Sequence, residues 1–285
     1  MHATKRLLLL ASLVLGLAAL VTPLAGADTT GRIMFEPSTY TMGDINGQNG
    51  WMKTGAYDVG VANVGTFPAA GGYGFGTQAL RISDSVTSGS FGDQTFSPGL
   101  LSPAGESAMR IFDSSFSIGT TTADQQVGLH TSVSPDDGNG ARMSYLRFED
   151  HADGVHVYFD DVFNPGPLGT VSDFNETAIA RLNRTTAHSV RFAIKFNPGS
   201  ANDVVKIYVD GLLVHTGTTW EDYYRYDPEA TGTVPTTSKM LFRESGDAHP
   251  DNAGNGFLVD GLSLNSLSMS NSATPPVRPG IKHKH

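Results

Sequence analysis

Between residues 187 and 226 the chain alternates with a period of two. Val190, Phe192, Ile194 and Phe196 share one parity, with Arg191 and Lys195 on the other. After a polar turn, Val205, Ile207 and Val209 resume the pattern, with Lys206 and Tyr208 opposite. Such spacing puts one set of side chains on a buried face of a pleated strand and the other set in water. Asp210-Gly211 closes the second run into a tight hairpin, since Gly supplies the positive φ the turn requires. Residues 212–216 form the returning strand. Further strands are predicted over 31–36, 77–83, 126–133, 142–148, 154–162, 177–182, 239–244 and 256–264. In 154–162, Val155, Val157 and Phe159 face one way, and His156, Tyr158 and Asp160 the other. Residues 107–118 are less regular. Met109 and Ile111 have one parity, Phe116 and Ile118 the other, so the two pairs share a face only if a bulge or turn intervenes. Residues 44–51, 66–76 and 88–103 are rich in turn formers and read as loops.

No long helical pattern interrupts these runs. With 33 glycines and only 16% charged residues, the composition agrees with many strands and turns. The expected fold is all-β: a two-sheet antiparallel β-sandwich, with residues 28–267 as one domain. Residues 1–27 read as an export signal. Lys5 and Arg6 precede an apolar run over 7–21, and Ala25-Gly26-Ala27 is a small-x-small cleavage site. The run is shorter than a spanning helix needs, so cleavage before Asp28 and no stable membrane insertion are expected. Residues 268–285 are polar, hold three prolines and are expected to be disordered.

Removing Lys5 and Arg6 from the 19 basic residues leaves 17 against 28 acidic ones, a formal charge of −11. Such a surface argues against nucleic acid as a partner. The absence of cysteine excludes thiolate metal sites and cysteine nucleophiles. The expected protein is secreted, extracellular or held at the cell envelope, and monomeric.

The run H-S-V-R-F-A-I-K-F, a polar turn, then V-K-I-Y-V-D-G-L-L-V-H-T-G resembles the concanavalin A-like, laminin G-like jelly rolls. The likeness covers roughly residues 32–267. The opening F-E…G…I-N-G-Q-N-G-W is also similar to that of uncharacterised exported bacterial proteins. The superfamily resemblance implies a carbohydrate-related role but no particular one, because lectins, binding modules, hydrolases and lyases share the fold. It also implies paired terminal strands. There an early Phe-Glu and a late aliphatic-Asp, here Glu36 and Asp260, could share a structural calcium ion together with backbone carbonyls.

Candidate chemistry lies in four places. Trp220, Glu221, Asp222, Tyr223, Tyr224 and Arg225 could line a glycan groove, the rings stacking on sugars and the charges bonding hydroxyls. The competing reading buries Trp220 and one tyrosine over the sandwich edge, and Trp51 has the same ambiguity. His130, His156 and Tyr158 are weaker candidates for a lyase-like base group if their strands adjoin. Arg147-Phe148-Glu149 matches the Arg-x-Glu strand of alginate-lyase-like enzymes, but the Gln-x-His partner is missing. The Glu-x-Asp-x-x-Glu strand of laminarinase-like hydrolases is absent. The oxygen-rich loops 136–139 and 247–256 lack the spacing of a calcium loop and read first as solvated turns. The expected function is binding of an extracellular polysaccharide or glycan. The alternatives are a polysaccharide lyase or glycoside hydrolase, and a structural envelope or matrix protein.

Overall fold

A computed structural model of the chain describes residues 27–89, 93–230 and 232–268. The expected signal and tail lie outside these residues, save Ala27 and Ser268. In chain order the strands are β1 Asp28–Thr29, β2 Gly43–Asp44, β3 Met52–Thr54, β4 Asp58–Asn63, β5 Gln78–Ser83, β6 Asp93–Phe96, β7 Arg110–Thr120 and β8 His130–Asp136. They continue as β9 Leu146–His151, β10 Gly154–Phe163, β11 Asp173–Leu182, β12 His188–Lys195, β13 Val204–Val209, β14 Leu212–Gly217, β15 Lys239–Glu244 and β16 Phe257–Ser268. One short helix, α1 Glu221–Tyr226, follows β14.

All strand pairs are antiparallel, in two sheets. The first runs β14-β13-β12-β7-β16-β5-β4-β2, with β1 also paired to β16; the second runs β11-β10-β9-β8-β15-β6-β3. The protein is therefore an all-β, two-sheet antiparallel sandwich, as the alternation predicts. Val190, Phe192, Ile194, Val205, Ile207 and Val209 are buried in one core with Val155, Val157, Phe159, Phe148 and Phe242 of the facing sheet. Stacking two apolar faces in this way is what removes them from water. At the predicted hairpin, Asp210 and Gly211 both have positive φ, 50° and 78°.

Two expectations about local structure are corrected, over 31–36 and 88–103, and one open question, in β7, is answered. Residues 31–36 form no strand; only an isolated bridge links Ile33 to Leu262. Phe35 has a φ of 54°, which breaks extension there. In β7, Phe112, Phe116 and Ile118 are buried with one parity, without a bulge between 109 and 116, while Met109 is exposed before the strand. Residues 88–103 are not wholly loop, because β6 lies within them and pairs with β15.

The outer faces differ. Two short 3-10 turns at Val64–Thr66 and Pro68–Gly72 cover part of the first sheet, where Val64, Ala70, Tyr73, Ala79 and Leu258 pack together. The outer face of the second sheet carries charged and aromatic residues instead. Register there aligns Thr54, Gln94, Arg243, Ser132, Arg147 and Tyr158 in one row across six strands. No helix among the described residues is long and apolar enough to cross a membrane.

Candidate functional site

A groove of about 740 Å³ opens on this polar sheet face. Its floor comes from β6, β15, β9 and β10, which present Gln94, Arg243, Arg147 and Asp160. Its walls come from the β8–β9 connection (Arg142, Tyr145), from Phe174 of β11, and from Trp220 and Tyr223 at the start of α1. Trp220 is anchored twice: its backbone N–H donates to the Met143 carbonyl at 3.1 Å, and its Nε1–H to the Asp160 carbonyl at 3.1 Å.

The wall is an aromatic stack. Tyr145 lies parallel to Trp220 with ring centres 6.0 Å apart, and Phe174 meets Trp220 edge-on at 5.1 Å. The Arg142 guanidinium sits 5.3 Å from the Tyr145 ring centre and 5.1 Å from that of Trp220. Cation–π contact of this kind fixes a charge without consuming it in an ion pair. Trp220 is only 8% exposed, whereas Phe174 is 49% exposed. The exposed apolar surface of the groove therefore belongs to Phe174 more than to Trp220.

Three guanidinium groups, Arg142, Arg147 and Arg243, line the groove together with three acids, Asp160, Asp227 and Glu229. Burial, and then repulsion from Arg142, push the Arg243 pKa down to about 10, so the two guanidinium groups feel one another. Asp160 is pushed up to about 6, by burial first and by Glu176 next, with Arg147 and Arg142 acting against the shift. Arg147 pairs with Glu149 at 2.7 Å and with Glu176, and its guanidinium lies 5.1 Å from the centre of the Tyr158 ring.

Of the six residues expected to line a groove, Trp220 and Tyr223 do so. The other four are corrected. Glu221 is buried on the far side of α1, where its Oε1 accepts from the backbone N–H groups of Asn202 and Asp203, both at 2.9 Å. Asp222 is buried beside it, 3.8 Å from Arg225. Arg225 pairs with Glu106 and donates to the Gly199 carbonyl at 2.9 Å. Tyr224 is half-buried against the core and donates its hydroxyl to the Arg142 carbonyl at 3.0 Å, bracing the groove from behind. The reason is helical geometry: four consecutive residues in one turn point around the axis, so one face of six cannot line one wall.

The weaker catalytic candidates divide likewise. His156 and Tyr158 adjoin on β10, with the Tyr158 hydroxyl 3.3 Å from His156 Nδ1, and His156 Nε2 lies 2.8 Å from Asp153. Register sets Arg147 beside Tyr158 and Glu149 beside His156. His130 shares that row through Glu149, but its ring turns toward Asp84, which raises its pKa to about 9 against the effect of burial. A group protonated at neutral pH is no general base.

Glu36 and Asp260 lie near one another on the first sheet, both held by the Gly76–Thr77 backbone. Thr77 donates to both Glu36 oxygens, from its backbone N–H at 2.9 Å and from its hydroxyl at 2.6 Å. Burial pushes Asp260 up to about 6; backbone N–H groups of Gly261 and Gly76 and the charge of Arg32 oppose this, and Glu36 adds to it. Asp260 Oδ1 is buried without a hydrogen-bond partner, which leaves one oxygen able to meet a cation. Trp51 is a core anchor, 5.6 Å from Phe35 between ring centres. In the 136–139 loop the carboxylates accept from local backbone N–H groups, Gly138 to Asp136 Oδ1 at 2.6 Å and Asn139 to Asp137 at 2.7 Å, while Asp136 Oδ2 is buried without a hydrogen-bond partner.

Arg142, Tyr145 and Arg243 escaped the sequence reading. Arg243 left a trace, a charge of the outward parity inside the apolar strand K-M-L-F-R-E. Arg142 and Tyr145 left none: the strand predicted over 142–148 begins only at Leu146, so both residues sit in the connection before β9.

No family model and no curated protein sequence matches the chain. Several solved structures do, at low identity. An endo-β-1,4-glucuronan lyase from the fungus Trichoderma reesei aligns over 84% of this chain and 94% of its own, with 14% identity and a TM-score of 0.39. An endo-1,3-β-glucanase from Streptomyces sioyaensis aligns over 82% and 98%, with 15% identity and a TM-score of 0.38. β-Agarase A from Zobellia galactanivorans aligns over 85% and 93%, with 12% identity and a TM-score of 0.40.

Proposed function

We propose that the protein is a secreted glycan-binding sandwich whose polar sheet face holds an anionic extracellular polysaccharide. The observation that supports this most is the set of three guanidinium groups, Arg142, Arg147 and Arg243, that line one aromatic-walled groove and match the number of its acids, Asp160, Asp227 and Glu229, in a chain where acids predominate. Repulsion between Arg142 and Arg243 falls when an anion stands between them, which is a gain a neutral sugar does not offer. Phe174, Tyr145 and Tyr223 supply the faces on which sugar rings stack. Affinity electrophoresis against uronate-bearing, sulfated and neutral polysaccharides tests the reading. Arg142→Ala should weaken retention by an anionic polysaccharide roughly 10-fold or more, as removal of one charged hydrogen-bonding group does. Its melting temperature should stay close to that of the parent. Equal retention on neutral polysaccharides would sink the anionic reading.

A lyase is the second reading, favoured by Tyr158 and His156 in hydrogen-bond reach on the same sheet face. In it Arg147 would offset the substrate carboxylate while the Tyr158–His156 pair took the proton from the adjacent carbon and gave one to the departing glycosidic oxygen as a C=C double bond formed. An assay for unsaturated products on the same polysaccharides decides it, with Tyr158→Phe as the control. The structural calcium ion expected at Glu36 and Asp260 belongs to this proposal as a stabiliser, read as a higher melting temperature in calcium than in chelator.

A further inference from the structure

Asp84, which follows β5, His130, which opens β8, and His249, in the loop between β15 and β16, meet at one end of the sandwich, away from the groove. Their ligating atoms all lie within 4.8 Å of one another. Asp84 Oδ2 stands 2.8 Å from His249 Nδ1 and 3.4 Å from His130 Nδ1. Two ligands bound to zinc at about 2.1 Å in a tetrahedral arrangement stand about 3.4 Å apart. The Asp84–His130 spacing already matches that value, and the closer Asp84–His249 pair needs to open by about 0.6 Å to admit an ion.

The surroundings orient them. Asn252 Nδ2–H donates to Asp84 Oδ1 at 2.9 Å, which leaves Oδ2 for the two imidazoles. His130 Nε2 donates to the Ser245 carbonyl at 2.5 Å and so aims Nδ1 at Asp84. A ring nitrogen tied to a carbonyl while the other faces the ion is the usual outer-shell support of a metal-bound histidine. His130 Nδ1 also lies 3.0 Å from the Gly128 carbonyl.

The imidazoles favour a transition metal over calcium or magnesium, which prefer oxygen.

We propose that Asp84, His130 and His249 bind one divalent transition-metal ion of the zinc class. The ion would tie the loop carrying His249 and Asn252 to the ends of β5 and β8. His130 and His249 are each partly exposed, so solvent metal can reach them.

The test uses the full-length chain carrying His283→Ala and His285→Ala, which removes a second source of histidine ligands. After loading with zinc and gel filtration, elemental analysis should find one equivalent retained. Added zinc should raise the melting temperature. His249→Ala should lose the retained metal and raise Kd by at least the roughly 10–100-fold that even outer-shell changes cost. Cobalt(II) loading of the parent should give intense visible bands of a four-coordinate nitrogen–oxygen site, a readout that needs no variant to fold. Failure to retain zinc, an aquo-ion cobalt spectrum, or equal zinc retention by the parent and a folded His249→Ala would each overturn the site.

Discussion

Trp220 has Tyr145 stacked on one side, the edge of Phe174 on another and its indole N–H tied to the Asp160 carbonyl. A ring held this way shapes the groove from beneath. Tyr223, one turn into α1, touches both Trp220 and Phe174 but contributes surface to the groove. The two aromatics should therefore separate on mutation. Trp220→Ala should destabilise the fold by roughly 3 kcal/mol, the low end for removing a buried large aromatic. Tyr223→Ala should cost stability by less than about 1 kcal/mol, yet reduce retention on an anionic polysaccharide. Denaturant melts run beside affinity electrophoresis distinguish them; a Trp220→Ala variant with parental stability would show that the ring is no support. The residue types of the aromatic run were plain in the sequence. Which ring is floor and which is surface was not, because that depends on Tyr145 and Phe174, far away in the chain.

Strands with a strong period of two could be read directly. β12 and β13 follow from Val190, Phe192, Ile194, Val205, Ile207 and Val209, all buried with the expected parity. Phe192 is wholly buried, so Phe192→Ala should cost roughly 3–5 kcal/mol in chemical denaturation. A loss below about 1 kcal/mol would mean that the core tolerates the cavity by collapse. The short strands β2, β3 and β6 span two to four residues, too few for alternation to stand out, and owe their existence to partners. Helix α1 escaped for a related reason. Its N-cap, Trp220, makes no side-chain capping bond, and the six residues hold their turn through Glu221 and the loop at 202–203. The groove was the least legible feature. β15 lies between β6 and β8, so Arg243 comes to stand beside Gln94 and Ser132 only through pairings that span more than a hundred residues.

Across the whole molecule, acids outnumber bases, and several are held in places that favour their protonated form. Burial raises Asp136, Asp160, Asp203 and Asp260 to about 6, and Glu221 to about 7. In each, the folded pKa lies above the unfolded value of 3.8 or 4.5. Between those limits the folded chain binds more protons than the unfolded one, so stability falls as pH rises through the window from about 4 to about 7. Asp44, Asp58 and Asp227 shift the other way, and Asp153 is lowered to about 2 by Arg181 and His156. Their contribution is present above about 4 and is lost as pH falls below it. Together these groups place the expected stability maximum near pH 5, below neutrality. Glu221 has the highest value in this set, and its Oε1 accepts two backbone N–H bonds that a glutamine oxygen can also accept. Glu221→Gln should therefore keep the fold and flatten the fall in stability between about pH 5 and about pH 7. Thermal melts of both chains in chelator, from about pH 3 to about pH 8, measure this directly. A melting temperature that climbs steadily from about pH 5 to neutrality, or a slope that Glu221→Gln leaves unchanged, would show that burial of these acids does not govern the pH response.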